Sequence, residues 1–148
     1  MLQRLPVFLA ALWWGSLCSI GFLAVPLLFA HLPTPAMAGG MAAKLFTAQT
    51  WVSVACGVLL LVLARGRGDA GAPAWARAAL PFVLSGLLCA LLSEFAVAPR
   101  IVARDNLKLW HGVGTALYAV QWLAAAVVLW RVAAPQRSSG SSKSGCAS

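Results

Sequence analysis

The chain has 148 residues, of which 61% are hydrophobic and only 9% charged, and its mean hydropathy is +0.87. That composition excludes an ordinary soluble domain and leaves an integral membrane protein. The 11 Lys and Arg outnumber the 3 acids, Asp69, Glu94 and Asp105, but they lie between and beyond apolar runs, so they read as topology and lipid-headgroup signals and not as a nucleic-acid surface.

The first apolar run extends from about Leu5 to Ala30. Arg4 before it and Ala36-Met37-Ala38 after it imitate a secretory signal. The run is longer than the roughly 7 to 15 apolar residues of such a signal, however, and Pro26 inside it predicts a kinked, retained spanning helix. LPTPAMAGGMAAK reads as a connection to a second span over about 45–64. RGRGDAGAPAWAR leads to a third over about 79–98, and RIVARDNLK to a fourth over about 110–130. Each run is near or above the roughly 20 residues that cross a bilayer as helix. The expected fold is all-α, a four-transmembrane-helix bundle over residues 1–132. The remainder, 133–148, ends in APQRSSGSSKSGCAS, whose Ser and Gly content predicts a disordered cytoplasmic tail.

Loop charge predicts the orientation, because basic loops stay cytoplasmic. Arg4, Arg65, Arg67, Arg77, Arg131, Arg137 and Lys143 fall on one side, and Lys44, Arg100, Arg104 and Lys108 on the other. The expectation is a bacterial inner-membrane protein with both termini in the cytoplasm. His31, Lys44, Thr47, Gln49, Glu94, Arg100 and His111 then all gather in the outer part of the bundle. Ionisable groups at membrane depth are costly and usually face a bundle interior or a wet cavity. Placement at the interface, where long side chains reach the headgroups, accounts for His111 and Glu94 equally well.

At about 100° per residue, His111, Thr115, Tyr118 and Trp122 fall within roughly 60° of one another, a stripe that predicts an inward-facing His111. Ser85, Cys89, Ser93 and Ala96 form a small-residue face on the third helix, with Ser53 and Gly57 on the second and Gly15 and Ser19 on the first. Such faces let helix backbones approach closely in lipid. Glu94, the one acid inside a span, points away from its helix's small face and is expected to pair with Lys44, Arg100 or Arg104 on the outer rim.

Two metal readings stand beside these. His31 and His111 share an outer depth and together suit the two axial positions of a haem, or a metal ion. Phase opposes it, since His31 lies about 160° from Gly15 on its helix, although a kink at Pro26 would rotate it. Cys18, Cys56 and Cys89 each lie near mid-span and suit a soft ion such as Cu(I), whereas buried Cys more commonly packs as a small apolar side chain. No nucleophile with its base, phosphate-cradling Gly loop or HExxH pattern is present, so soluble-enzyme chemistry has no support.

The segments LWWGSLCSIGFLAVPLLFAHL, AKLFTAQTWVSVACG, APRIVAR and LWHGVGTALY occur in that order. In this the chain resembles the small four-helix membrane family of unknown function that includes transmembrane protein 205. The likeness covers most of Leu12 to Ala124. It rests on Trp14-Gly15, Phe29, Lys44-Leu45-Phe46, Pro99-Arg100 and His111-Gly112. It implies the same four-span bundle and a shared pattern of Lys44, Arg100 and His111 on one side. His31 and the placement of Glu94 five residues before Pro99 depart from that pattern. The resemblance supplies no reaction.

Three functional readings follow. In the first, a polar cluster of His111, Arg100, Lys44 and Glu94 binds an anionic lipid headgroup or small solute, or a partner membrane protein or second copy. In the second, the chain holds haem or a metal ion through His111. In the third it is a transporter or channel subunit, necessarily oligomeric, because four tightly packed helices leave little room for a pore.

Overall fold

The computed structural model describes residues 4–65 and 73–134. The expected tail, with Arg137, Lys143 and Cys146, and the loop positions Arg67 and Asp69 lie outside the described residues. Four long apolar helices run α1 (Leu5–His31), α2 (Pro35–Ala64), α3 (Trp75–Val102) and α4 (Leu107–Ala133), each long and apolar enough to cross a membrane. They stand in a square, with α1 beside α2, α2 beside α3, α3 beside α4 and α4 beside α1. One end of the bundle carries the first and last described residues. The opposite end, called distal below, carries the α1–α2 and α3–α4 turns.

The α1–α2 turn is shorter than the sequence pattern suggested, because α2 begins at Pro35 and not near Leu45. Thr34 is extended and its Oγ1 accepts the Met37 amide at 3.3 Å. A capping hydroxyl followed by a proline whose missing N–H costs nothing at that position is a strong start signal. It outweighs Gly39 and Gly40, which the helix absorbs at the modest cost glycine carries in helix interiors.

The α3–α4 turn closes α3 with a left-handed cap. Asp105 N–H donates to Arg100 O and Arg104 N–H to Ile101 O, both at 3.1 Å. That is the paired pattern normally completed by glycine in the left-handed position. Here the position holds Arg104, with φ of 57°, and Asn106 follows at φ of 34°.

Two helices carry widened, π-type segments, Ser19–Ala24 in α1 and Ser93–Val97 in α3. The Val25 amide reaches back to Ile20 O and the Ala98 amide to Ser93 O. Both segments end just before a proline, Pro26 or Pro99. A proline inside a helix lacks an amide and crowds the carbonyl one turn back, and a wider turn at that place relieves the crowding.

Packing is uneven along the bundle. The large buried side chains, Trp13, Leu17, Leu60, Val83 and Val128, lie toward the end with the termini. Trp13 of α1 crosses the square to α3, where a Cβ on Gly86 would sit 2.8 Å from its ring. A Cβ on Gly57 would likewise come within 2.6 Å of Leu87. These glycines let the helices close on bulky neighbours, the use small residues have in lipid. In the distal half the buried apolar residues are small, Ala38, Ala42 and Val97. Phe22, Leu23, Phe29, Trp51, Phe95 and Trp130 project outward, as lipid-facing side chains do.

The Arg104 conformation yields a test. An L-residue in the left-handed region costs about 1–2 kcal/mol relative to glycine. Arg104→Gly is expected to raise stability by about 1 kcal/mol, read as a higher thermal unfolding midpoint in detergent. An unchanged or lower midpoint shows that the arginine side chain itself holds the turn.

Candidate functional site

Hydroxyl groups reveal how this chain handles polarity at membrane depth. Ser16 donates to Trp13 O, Ser19 to Gly15 O, Thr50 to Phe46 O, Ser53 to Gln49 O, Ser85 to Phe82 O and Thr115 to His111 O. Each satisfies itself on a carbonyl one turn back in its own helix. Thr47 and Ser93 depart from this. Thr47 Oγ1 donates across to the Glu94 carboxylate, 3.0 Å from Oε1 and 3.2 Å from Oε2. Ser93 Oγ is buried without a partner.

Glu94 is half-buried within the π segment of α3. Its partner is therefore a threonine of α2, not one of the rim cations the sequence suggested. Arg100 sits instead with its guanidinium carbon 4.4 Å over the Trp110 ring. That contact is worth about 0.5–1 kcal/mol at an exposed site, and it joins the end of α3 to the start of α4. Lys44, Arg100, Arg104 and Lys108 are all exposed. Among the described residues none of them forms an ion pair with Glu94.

His111 is exposed, which corrects the inward placement expected from its stripe; lower on the same stripe Tyr118 and Trp122 are half-buried. The distal part of α1, Ser19 to His31, buries no residue, so α1 does not close over the first turns of α4. His111 Nδ1 lies 2.9 Å from Leu107 O, and His31 Nδ1 3.0 Å from Leu27 O. A carbonyl only accepts, so in each of these contacts Nδ1 is the donor. Trp122 Nε1 donates to Cys18 Sγ at 3.1 Å, while Cys56 and Cys89 are buried. Among the described residues no group of 3 His, Cys, Asp or Glu side chains converges.

The feature that sequence reasoning missed is a buried polar layer at mid-bundle. Gln49 Nε2 donates to Ser16 Oγ at 3.0 Å and to Ser53 Oγ at 3.3 Å, and Gln121 Nε2 donates to the same Ser53 Oγ at 2.8 Å. The layer ties α1, α2 and α4 and closes the second diagonal of the square. Gln49, Gln121 and Ser53 are nearly or fully buried, and Gln49 Oε1 has no partner. Gln121, an amide in the middle of an apolar run, was the legible signal; an emphasis on ionisable groups passes over it.

Aromatic contacts tie α4 to both α1 and α2. Trp122 packs 6.1 Å from Trp14 and edge-on 5.7 Å from Phe22, and Tyr118 edge-on 5.4 Å from Phe46. The Tyr118 hydroxyl donates to Leu17 O at 2.7 Å, just before the π segment of α1. Gly21 makes room for it, since a Cβ there would lie 2.7 Å from the Tyr118 ring.

Four apolar helices closed by small-residue contacts and a buried amide layer define a small multi-pass membrane protein. The chain belongs to the family described as Domain of unknown function (DUF4149), whose model matches residues 8–109. That match takes in α2, α3, the distal turns and all but the first turn of α1. Neither a curated protein nor a solved structure matches the chain.

The amide layer carries its own test. Gln121→Leu removes one interhelical hydrogen bond and is expected to cost about 1 kcal/mol; Gln49→Leu removes one interhelical bond, to Ser16, and one within α2, to Ser53, and is expected to cost at least as much. Unfolding in detergent micelles reads both. Equal or higher stability of Gln49→Leu shows instead that the layer is retained for something other than holding the helices.

Proposed function

We propose that the distal rim of this protein binds a phosphate-bearing anion, foremost the headgroup of an anionic lipid, through Arg100, Lys44 and Lys108, with His111 beside them. One observation carries the reading: Arg100 lies on Trp110 while the nearest membrane acid, Glu94, is engaged by Thr47. A guanidinium lying on an indole face keeps its N–H edge directed outward, and that edge matches a phosphate in a bidentate way. A carboxylate partner would have consumed it. Exposed Lys108 adds charge at the same end, and exposed Lys44, nine residues into α2, has a side chain long enough to reach toward it. Clustered basic residues beside a spanning helix attract anionic headgroups by about 1 kcal/mol per residue. His111, whose Nδ1 is turned to Leu107 O, contributes Nε2. In this reading Glu94 belongs to the cluster by position, and its part is to stay out of the cations' way.

The same proposal puts the rim on the non-cytoplasmic face, supported by the excess of basic residues on the side of the termini. Reporter fusions at the C-terminus that are active only outside the cytoplasm would reverse that arrangement.

Binding is tested in nanodiscs. Native mass spectrometry of the full chain is expected to show phosphatidylglycerol retained over phosphatidylcholine, with the preference falling as salt rises. Arg100→Gln with Lys108→Gln is expected to abolish the preference without altering helicity. Competition by inorganic phosphate separates a soluble anion from a lipid as the occupant. Equal retention of both lipids, or a preference that survives the double substitution and phosphate alike, removes the proposal.

A further inference from the structure

We infer that Glu94, Thr47 and Ser93 form a binding site for a dehydrated monovalent cation of the Na+ class, set within the membrane-spanning part of α2 and α3. The inference stands apart from the rim proposal and uses none of its cations.

The first argument is the pattern of hydroxyls. Six Ser and Thr side chains within the spanning helices donate to carbonyls of their own helix. The two that do not, Thr47 and Ser93, both adjoin Glu94, one by a hydrogen bond and one in sequence. An unpartnered buried hydroxyl is expensive in a low-dielectric setting, and a hydroxyl has lone pairs to offer an ion. Thr47 is placed for the same change: once its proton turns to the carbonyl one turn back, as in Thr50 and Thr115, its oxygen becomes a ligand.

The second argument comes from the backbone. The Ala98 amide donates to Ser93 O, and Pro99 has no amide hydrogen. The Glu94 carbonyl is therefore without a donor from either position that serves a helical or a π-type turn. Proline and the π segment together free a main-chain oxygen on the residue that bears the carboxylate. Carbonyls released by broken helices, joined by carboxylate and hydroxyl oxygens, are how membrane proteins coordinate small cations.

Chemistry and charge then select the ion. The ligands are all oxygen, which suits hard cations and not soft ones. Thr47 Oγ1 and the carboxylate oxygens, 3.0 and 3.2 Å apart, are close enough to share one ion with ligand distances of about 2.4 Å, as found for the similarly sized Ca2+. The site carries a single negative charge. A monovalent ion neutralises it, whereas a divalent ion leaves net charge where charge is costly. Glu94 lies eight residues before Val102, about 12 Å along the helix from the distal end, the side from which an ion would enter.

The test uses the full-length protein in phosphatidylcholine nanodiscs, titrated with NaCl against choline chloride at constant ionic strength. Saturable broadening of the 23Na resonance and a Na+-dependent rise in the unfolding midpoint are expected. Thr47→Val and Ser93→Ala are each expected to weaken Na+ binding roughly tenfold or more, and Glu94→Gln to abolish it, while Ser85→Ala leaves it unchanged. No difference between NaCl and choline chloride in the unaltered protein overturns the site. So does saturable Na+ binding in Glu94→Gln. If that variant does not fold, unchanged affinity in both Thr47→Val and Ser93→Ala overturns it equally. Ca2+ binding tighter than Na+ overturns the monovalent assignment.

Discussion

Within hydrocarbon there is no water to satisfy a polar group, so every hydroxyl, amide and carbonyl of a spanning helix must find its partner in protein. Most of the polar links in this structure follow from that constraint, although among the described residues Trp13 Nε1, Trp14 Nε1, Gln49 Oε1 and Ser93 Oγ are buried without a partner. Serines and threonines fold back onto their own helices, the two buried glutamines meet on Ser53, and Trp122 turns its indole N–H to a cysteine sulfur. Apolar side chains face the lipid freely, because there is no hydrophobic gain in hiding them. Helix association then rests on close contact and on these few polar links.

The two kinds of link are spent in different halves of the bundle. Toward the termini, Trp13 against Gly86 and Leu87 against Gly57 give dense, shape-matched contact. At mid-depth the Gln49–Ser53–Gln121 layer fixes which helices sit across from one another, a register role well suited to buried amides. Beyond it the helices are held by Ala38, Ala42 and Val97 and by the cross-links Thr47–Glu94 and Arg100–Trp110. A half with little core is a half in which polar groups retain choices. The candidate sites fall there for that reason.

The number, order and approximate place of the helices were legible because hydropathy over a span-length window is a strong signal. The start of α2 was less so. Thr34-Pro35 announces it, yet Pro33 and the Gly39-Gly40 pair read as breakers when sequence is taken alone. Phase arguments held for Tyr118 and Trp122, where α1 lies opposite, and failed for His111, because a helical wheel knows the direction of a side chain but not whether a neighbour stands there. The charged members of the site were legible one by one. Their pairing was not: opposite charge suggested Glu94 with Lys44, Arg100 or Arg104, and an aromatic face and a threonine hydroxyl took those partners instead.

The two π segments show how one backbone device yields two outcomes. In α1, Val25 N–H goes to Ile20 O and Pro26 has no amide hydrogen, so the Gly21 carbonyl is released just as the Glu94 carbonyl is in α3. The surroundings differ. Beside Gly21 stands the Tyr118 ring, whose hydroxyl is committed to Leu17 O, and Ser19 is committed to Gly15 O. The groups there are neutral and already partnered, and the Tyr118 hydroxyl fastens α4 to α1. Beside Glu94 stand a carboxylate, a hydroxyl turned from its own helix and a second hydroxyl with no partner. Proline placement alone therefore creates no site. The chemistry arises where the released carbonyl coincides with side chains that have declined their local hydrogen bonds, and in the described part of this chain α3 is where that happens.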